Sequence, residues 1–290
     1  MGCSGAESKE NCIIAEFFID EDNINKKTRI INSYDNKEKE KMKEDEEENA
    51  QKDDTKEKYK IEEELKHCKI NVGEEVVPFS YYYEFKKSGK HTIKYTFLSP
   101  MSQTSYLFSS CKSMIKVDLS KFNTQNLTSL IYMFEECENL ENVIFFKSKI
   151  EKVTEMDGMF GGCEKMKNIT LSNANSEITT SVMELFYACT QLEKADLSNF
   201  KAKVTNVGFM FYECKSFKYV NIINLDTTDA IKDSMFGICA ALKKENVITK
   251  DQNILDKFEE LGGGQEEIQC EEGAEGGEGG EGGEVGDDEY

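Results

Sequence analysis

Six of the ten cysteines are evenly spaced. Cys111, Cys137, Cys163, Cys189, Cys214 and Cys239 follow one another at intervals of 26, 26, 26, 25 and 25 residues. A ladder of thiols allows three chemistries: a series of disulfides, a metal site, or buried apolar side chains. Equivalent positions on stacked coils lie about 4.8 Å apart. A disulfide tolerates about 4.4–6.8 Å between Cα atoms, so geometry does not exclude bridges. Zinc is disfavoured, because no short Cys-x-x-Cys pair and no neighbouring His accompanies the ladder. No export signal is read either. Met1 is followed by polar residues, and Ile13-Ile14-Ala15 and Phe17-Phe18-Ile19 are too short for a signal's apolar region. The expectation is free thiols in a reducing compartment, packed as core, with no metal and no cofactor.

Other reactive groups are sparse. The two histidines, His67 and His91, are expected at the surface or an edge beside strands. Gly262-Gly263-Gly264 lacks the Lys-Ser/Thr and the preceding strand of a phosphate-binding loop. No nucleophile–base pair is read, and the expectation is a protein that is not an enzyme. The start, Met1-Gly2-Cys3-Ser4, offers a different chemistry. After Met removal Gly2 resembles an N-myristoylation acceptor and Cys3 a palmitoylation site, although Ala6 holds the motif's Ser/Thr position. One acyl chain binds a membrane marginally and two bind it stably, so both residues would be needed. Residues 1–10 are therefore a candidate lipid anchor to the cytoplasmic face of a membrane; the other reading is coincidence. The net charge of −20 argues against a nucleic-acid partner.

The thiols must be positioned by repeated elements, and each closes the same box. The boxes are Leu107-Phe108-Ser109-Ser110-Cys111, Met133-Phe134-Glu135-Glu136-Cys137, Met159-Phe160-Gly161-Gly162-Cys163, Leu185-Phe186-Tyr187-Ala188-Cys189, Met210-Phe211-Tyr212-Glu213-Cys214 and Met235-Phe236-Gly237-Ile238-Cys239. A fixed period of this length means a solenoid or array. Leu107, Phe108, Cys111 and Met114 fall on one face of a short helix, after which Val117 and Leu119 alternate as in a strand. One such unit cannot bury its apolar face, whereas stacked copies can. The fold class expected is α/β, with about six helix-turn plus strand repeats over residues 105–249. Phe108, Phe134, Phe160, Phe186, Phe211 and Phe236 join the six cysteines as repeat core.

The stretch Leu192-x-x-Ala195-x-Leu197-Ser198-Asn199-Phe200 resembles the core of a leucine-rich repeat. With the Met-Phe-x-x-Cys box it is similar to the 26-residue repeat of the BspA-like surface proteins of bacteria and protists. Asp118-Leu119-Ser120-Lys121-Phe122-Asn123-Thr124-Gln125-Asn126-Leu127-Thr128 is close to that family's phrase DLSNFDTSNVT. The resemblance covers about half of the chain and implies a repeat solenoid; for many relatives it implies a cell-surface adhesin. The second unit departs from the phrase at Phe145-Phe146-Lys147-Ser148, and the fifth at Asn221-Ile222-Ile223-Asn224-Leu225.

Flanking segments complete the organisation. Residues 11–104 hold strand-like runs at Ile13–Ile19, Arg29–Ser33, Lys69–Val72, Val76–Phe85 and His91–Phe97, expected to form a small N-terminal β cap. Tyr81–Phe85 and His91–Phe97 read as a hairpin. Within this region 35–66 is a Lys/Glu-rich insertion, either a solvated helix or disordered. Residues 250–261 read as a C-terminal capping helix with Ile254, Leu255, Phe258 and Leu261 on one face. Residues 262–290 carry eleven acidic residues and no Lys or Arg, as a solubilising tail or a lure for basic partners.

Alternation places Asp118, Ile144, Phe146, Asp196, Tyr219, Asn221 and Ile223 on the outward strand face. Ile144, Phe146, Tyr219 and Ile223 are apolar where solvent is expected. They mark a contact for a partner protein, or a repeat twisted so that they turn inward. The function expected is a non-catalytic interaction scaffold, lipid-anchored and binding a protein partner; the alternative is a surface adhesin.

Overall fold

The computed structural model describes residues 10–37, 61–171 and 177–265. Strand β1 (Cys12–Ile19) alternates cleanly: Ile13, Ala15, Phe17 and Ile19 are buried, while Ile14, Glu16 and Phe18 face outward. The strands that follow are β2 (Lys27–Arg29), β3 (Lys69–Val72), β4 (Glu75–Val77), β5 (Tyr82–Glu84) and β6 (Gly89–Thr96). The repeats then contribute β7 (Met114–Asp118), β8 (Asn142–Ile144), β9 (Asn168–Thr170), β10 (Lys194–Asp196), β11 (Ala202–Lys203), β12 (Tyr219–Asn221), β13 (Leu225–Asp226) and β14 (Val247–Ile248). One sheet has the order β4-β3-β6-β1-β7-β8 and a second has the order β14-β12-β10-β9. Every repeat strand pairs parallel with its sheet neighbour from the next repeat, whereas β1 pairs antiparallel with both β6 and β7. The result is a β-solenoid of about five turns, with a mixed sheet continuous with its first strands.

The expected hairpin between Tyr81–Phe85 and His91–Phe97 does not form. Both edges of β6 are taken, by β1 and β3, and β5 pairs with β2 instead. Phe85 is buried against Phe17 and His91 at ring distances of 6.4 and 4.6 Å.

The short helices expected in the repeats are also absent from the described residues; each box is a run of tight turns. In the first box Leu107, Ser109 and Cys111 donate their N–H groups three residues back, to Thr104, Tyr106 and Phe108. The alternate N–H groups of Tyr106, Phe108 and Ser110 donate to Ile131, Met133 and Glu135 of the next coil. An α-helix would consume those donors internally. It is also about 10–12 Å across, so helices stacked on this side would splay the coils apart beyond the strand spacing of about 4.8 Å and curve the stack. The turns need left-handed backbone at two places per box: Tyr106 and Ser110, Tyr132 and Glu136, Glu184 and Ala188, Phe209 and Glu213, Ser234 and Ile238, with Gly158 and Gly162 in the third coil.

Inside the coil the box residues form two ladders. The rings of Phe108, Phe134, Phe160, Phe186, Phe211 and Phe236 stack at 5.4–5.9 Å with interplanar angles of 4–14°. Tyr95 of β6 packs edge-on against Phe108 at one end, and Phe258 lies over Phe236 at the other. Beside the rings run the six cysteines, all free and fully buried. Each thiol from Cys137 to Cys239 donates to the carbonyl of the Phe in the coil before, at 3.0–3.3 Å. A buried carbonyl that already accepts one turn hydrogen bond thus gains a second, weak donor.

The C-terminal helix is shorter than 250–261, running only from Gln252 to Asp256. Asp251 starts it by accepting from the Asn253 N–H at 3.0 Å, and it also accepts from Thr227 Oγ1 at 2.7 Å and pairs with Lys232 at 3.3 Å. Its side chain is thereby spent in docking the helix on the last coil. After Asp256 the chain leaves the helix so that Leu261 can accept from the Phe236 N–H, continuing the axial bonding.

Two outcomes test this core. Phe160→Ala should cost about 3–5 kcal/mol in urea unfolding, because the ring is enclosed by rings above and below. Burial also pushes the thiols up, Cys189 and Cys239 from 9.0 to about 12. Between those values the unfolded chain has released protons that the folded chain holds, so stability is full below pH 9 and falls as pH rises toward 12. The denaturation midpoint should drop between pH 8.5 and 10.5, and drop less in Cys189→Ala; a flat midpoint would contradict the burial of neutral thiols.

Candidate functional site

The outward strand face is built by the alternate residues of ten strands. In the repeats one column reads Lys116, Asn142, Asn168, Lys194 and Tyr219, and the next reads Asp118, Ile144, Thr170, Asp196, Asn221 and Ile248. Register carries the face onto the N-terminal strands: Glu16 lies opposite Lys116 and Ile14 opposite Asp118. The Lys116 ammonium bonds Glu16 at 2.9 Å and ties the two parts together across the face. At the break between β8 and β9 lies a shallow polar hollow of about 340 Å³, lined among others by Asn142, Lys167, Asn168 and Gln191.

The expected contact residues divide by where they sit along each strand. Ile144 is 44% exposed and Tyr219 is half-buried, its ring under the Lys194 ammonium at 5.0 Å. Phe146 is not on the face. The strand ends at Ile144, alternation stops there, and the chain turns Phe146 fully inside against Phe122 and Phe145, at ring distances of 6.1 and 4.8 Å. Ile223 likewise lies past the end of β12, half-buried in the following turn. Asp118, Asp196 and Asn221 end their strands, and each side chain accepts the N–H two residues on, from Ser120, Ser198 and Ile223 at 2.8, 3.0 and 3.2 Å. Hydrogen bonds from Ser198, its side chain first, hold the Asp196 carboxyl below the usual range. These three residues fix the corner that follows each strand. Gly2 and Cys3 lie outside the described residues, as do 38–60 of the charged segment and 266–290 of the tail.

The chain matches the family described as "Mycoplasma protein of unknown function, DUF285" over residues 78–168 and again over 143–250. Together the two stretches cover more than half of it. The chain belongs to this family. The DUF285 match begins just before β5 and ends at the last coil, and its two stretches overlap by about one repeat length, as expected when a repeated unit can be aligned in more than one frame. The DUF285 description names no activity. No curated protein and no solved structure matches the chain. Among the described residues no group of three or more His, Cys, Asp or Glu could hold a metal ion, and no helix is long and apolar enough to cross a membrane.

Sequence reasoning missed the N-terminal share of the face. Phe18 is 50% exposed on β1, and Val76 and Leu98 are exposed on or beside β4 and β6. The alternation of Ile14, Glu16 and Phe18 against Ile13, Ala15 and Phe17 was there to be read. Their shared plane with the repeats was not, because it depends on an antiparallel pairing across about 100 residues.

If Asp118 and Asp196 serve the corners, their loss is a stability defect. Asp118→Ala and Asp196→Ala should each cost about 0.5–1.5 kcal/mol in urea unfolding, whereas Thr170→Ala in the same column should be near neutral.

Proposed function

We propose that this protein is a non-catalytic scaffold that binds another protein through its outward strand face. The observation that carries the reading is the pair of apolar side chains Phe18 and Ile144, 50% and 44% exposed on one face of one sheet, with β7 and its outward Lys116 and Asp118 between their strands. With Val76, Leu98 and Ile248 also exposed on or beside strands of the two sheets, they give the face an apolar share rimmed by polar residues, which suits a protein contact. In this reading the N-terminal strands serve as a cap. Tyr95 covers the first ring of the Phe ladder, and β1 occupies the edge that β7 would otherwise leave open. The Asp118–Thr128 phrase supports placing the repeats with the leucine-rich repeats of BspA-like proteins. The Met1-Gly2-Cys3 start supports a two-lipid anchor that would hold the scaffold on the cytoplasmic face of a membrane.

The same phrase favours a second reading, display on the cell surface as an adhesin. Protease treatment of intact cells separates the two: loss of the protein means display, and protection means an inner face. An intact mass without acyl groups would reject the anchor. For the face itself, a photoreactive residue at position 142 should yield a discrete cross-linked protein in living cells. Phe18→Ser combined with Ile144→Ser should reduce that adduct about tenfold without lowering the melting temperature. An undiminished adduct in the folded double variant overturns the site.

A further inference from the structure

The segment that leads each coil from its box into its strand changes charge along the stack. In coil two it reads Glu138-Asn139-Leu140-Glu141-Asn142, with no Lys. In coils three to six it runs over 164–168, 190–194, 215–219 and 240–245, and holds seven lysines against three glutamates. One of the three, Glu193, is paired with Lys218 at 3.3 Å. Lys165, Lys167, Lys194, Lys243 and Lys244 are exposed and form no ion pair among the described residues. The Lys194 ammonium rests over the Tyr219 ring, and Lys165 and Lys167 border the polar hollow between β8 and β9. A chain of net charge −20 thus carries a net positive stripe along one edge of its strand face. The coils fix the spacing of these like charges, so an anionic occupant would relieve their repulsion.

The same chain supplies one. Gly263 pairs in parallel with Cys239 of the last box, and the Gly264 N–H donates to the Cys239 carbonyl at 3.2 Å. By that register Gln265 falls beside Ala241, two residues before Lys243, so the chain is delivered at the head of the stripe. Residues 266–290 follow, with eleven acidic residues and no Lys or Arg. Three coil rises, about 15 Å, separate coil six from coil three, and a segment of this length spans up to about 80 Å when extended. Glu272, Glu275, Glu278, Glu281 and Glu284 recur at every third residue. Three extended residues cover about 10 Å, which is also about two coil rises, so these carboxylates can meet the stripe in step. The box corners offer no rival, since Glu135, Glu136, Glu184 and Glu213 stand there. We propose that the acidic segment 266–290 lies back along this lysine edge and holds it closed to other acidic chains. Single exposed ion pairs are weak, and the covalent tether makes up for this by raising the local concentration of the segment.

The test is paramagnetic broadening in the full chain. A nitroxide is attached through Val285→Cys, with Cys3→Ser and Cys270→Ser; the eight cysteines of the described residues are buried. The amides of Asn168 and Lys194 should broaden at least about threefold more than those of Thr154 and Thr180 on another side of the coil. The contrast should vanish in about 0.5 M NaCl, and also when Glu272, Glu275, Glu278, Glu281 and Glu284 are all changed to Gln, a variant that leaves the folded part untouched. Lys165→Glu with Lys167→Glu should remove it, and adding Glu278→Lys with Glu281→Lys should restore it. Residues 266–290 as a separate peptide should bind the Gln-tailed chain at least about fivefold more tightly than the native chain. Equal broadening on both sides, a contrast that survives salt and the Gln tail, or equal peptide binding by the two chains overturns the proposal. Broadening passed from labelled chains to unlabelled ones in a mixture would assign the edge to the tail of a second copy and overturn it too.

Discussion

Every side of this molecule must repeat at the spacing of hydrogen-bonded strands. The strand side sets that distance, and the box corner obeys it by sending every second N–H to the next coil. A third line of axial bridges, through Ser129, Glu155, Ser181, Asn206 and Ile231, holds the same period on another side. Because all sides share one rise, side chains at equivalent positions meet their own kind. Rings fall on rings, thiols beside thiols, and threonines 128, 154, 180 and 205 form a column of their own.

This constraint explains the composition of the interior. A phenylalanine between two phenylalanines must lie flat at 5.4–5.9 Å, a distance that suits offset stacking. The position beside it has room for a small side chain only, and that side chain faces a carbonyl. Cysteine fits both demands: it packs as a small hydrophobe and supplies a weak donor. The interior is thus read off one coil and copied, and variation is confined to the outer columns.

Legibility in the sequence followed the same division. The period and the recurring box were readable, because core positions recur with like residue types. The helix assignment failed at Leu107, Phe108, Cys111 and Met114. That spacing suits a helical face and equally suits turns whose alternate residues point inward. Only the destination of the Tyr106, Phe108 and Ser110 N–H groups distinguishes them, and those partners lie one coil away. Phe146 was misplaced because alternation was carried beyond the last strand residue, Ile144. Asp118, Asp196 and Asn221 look like surface residues in sequence, yet they hold backbone corners.

The direction of the ladder has its own consequence. The thiols of Cys137, Cys163, Cys189, Cys214 and Cys239 and the hydroxyls of Thr128, Thr154, Thr180 and Thr205 all donate toward the coil that precedes them in the chain. A chain leaving the ribosome presents the acceptors of these side-chain bonds before their donors, whereas the box N–H groups point toward the coil still to come. Each newly emerged coil therefore finds a finished surface to wind onto, and the protein can grow as a crystal does, by addition at one face. The ring of Tyr95 supplies the seed surface, and Phe258 closes the last face exposed.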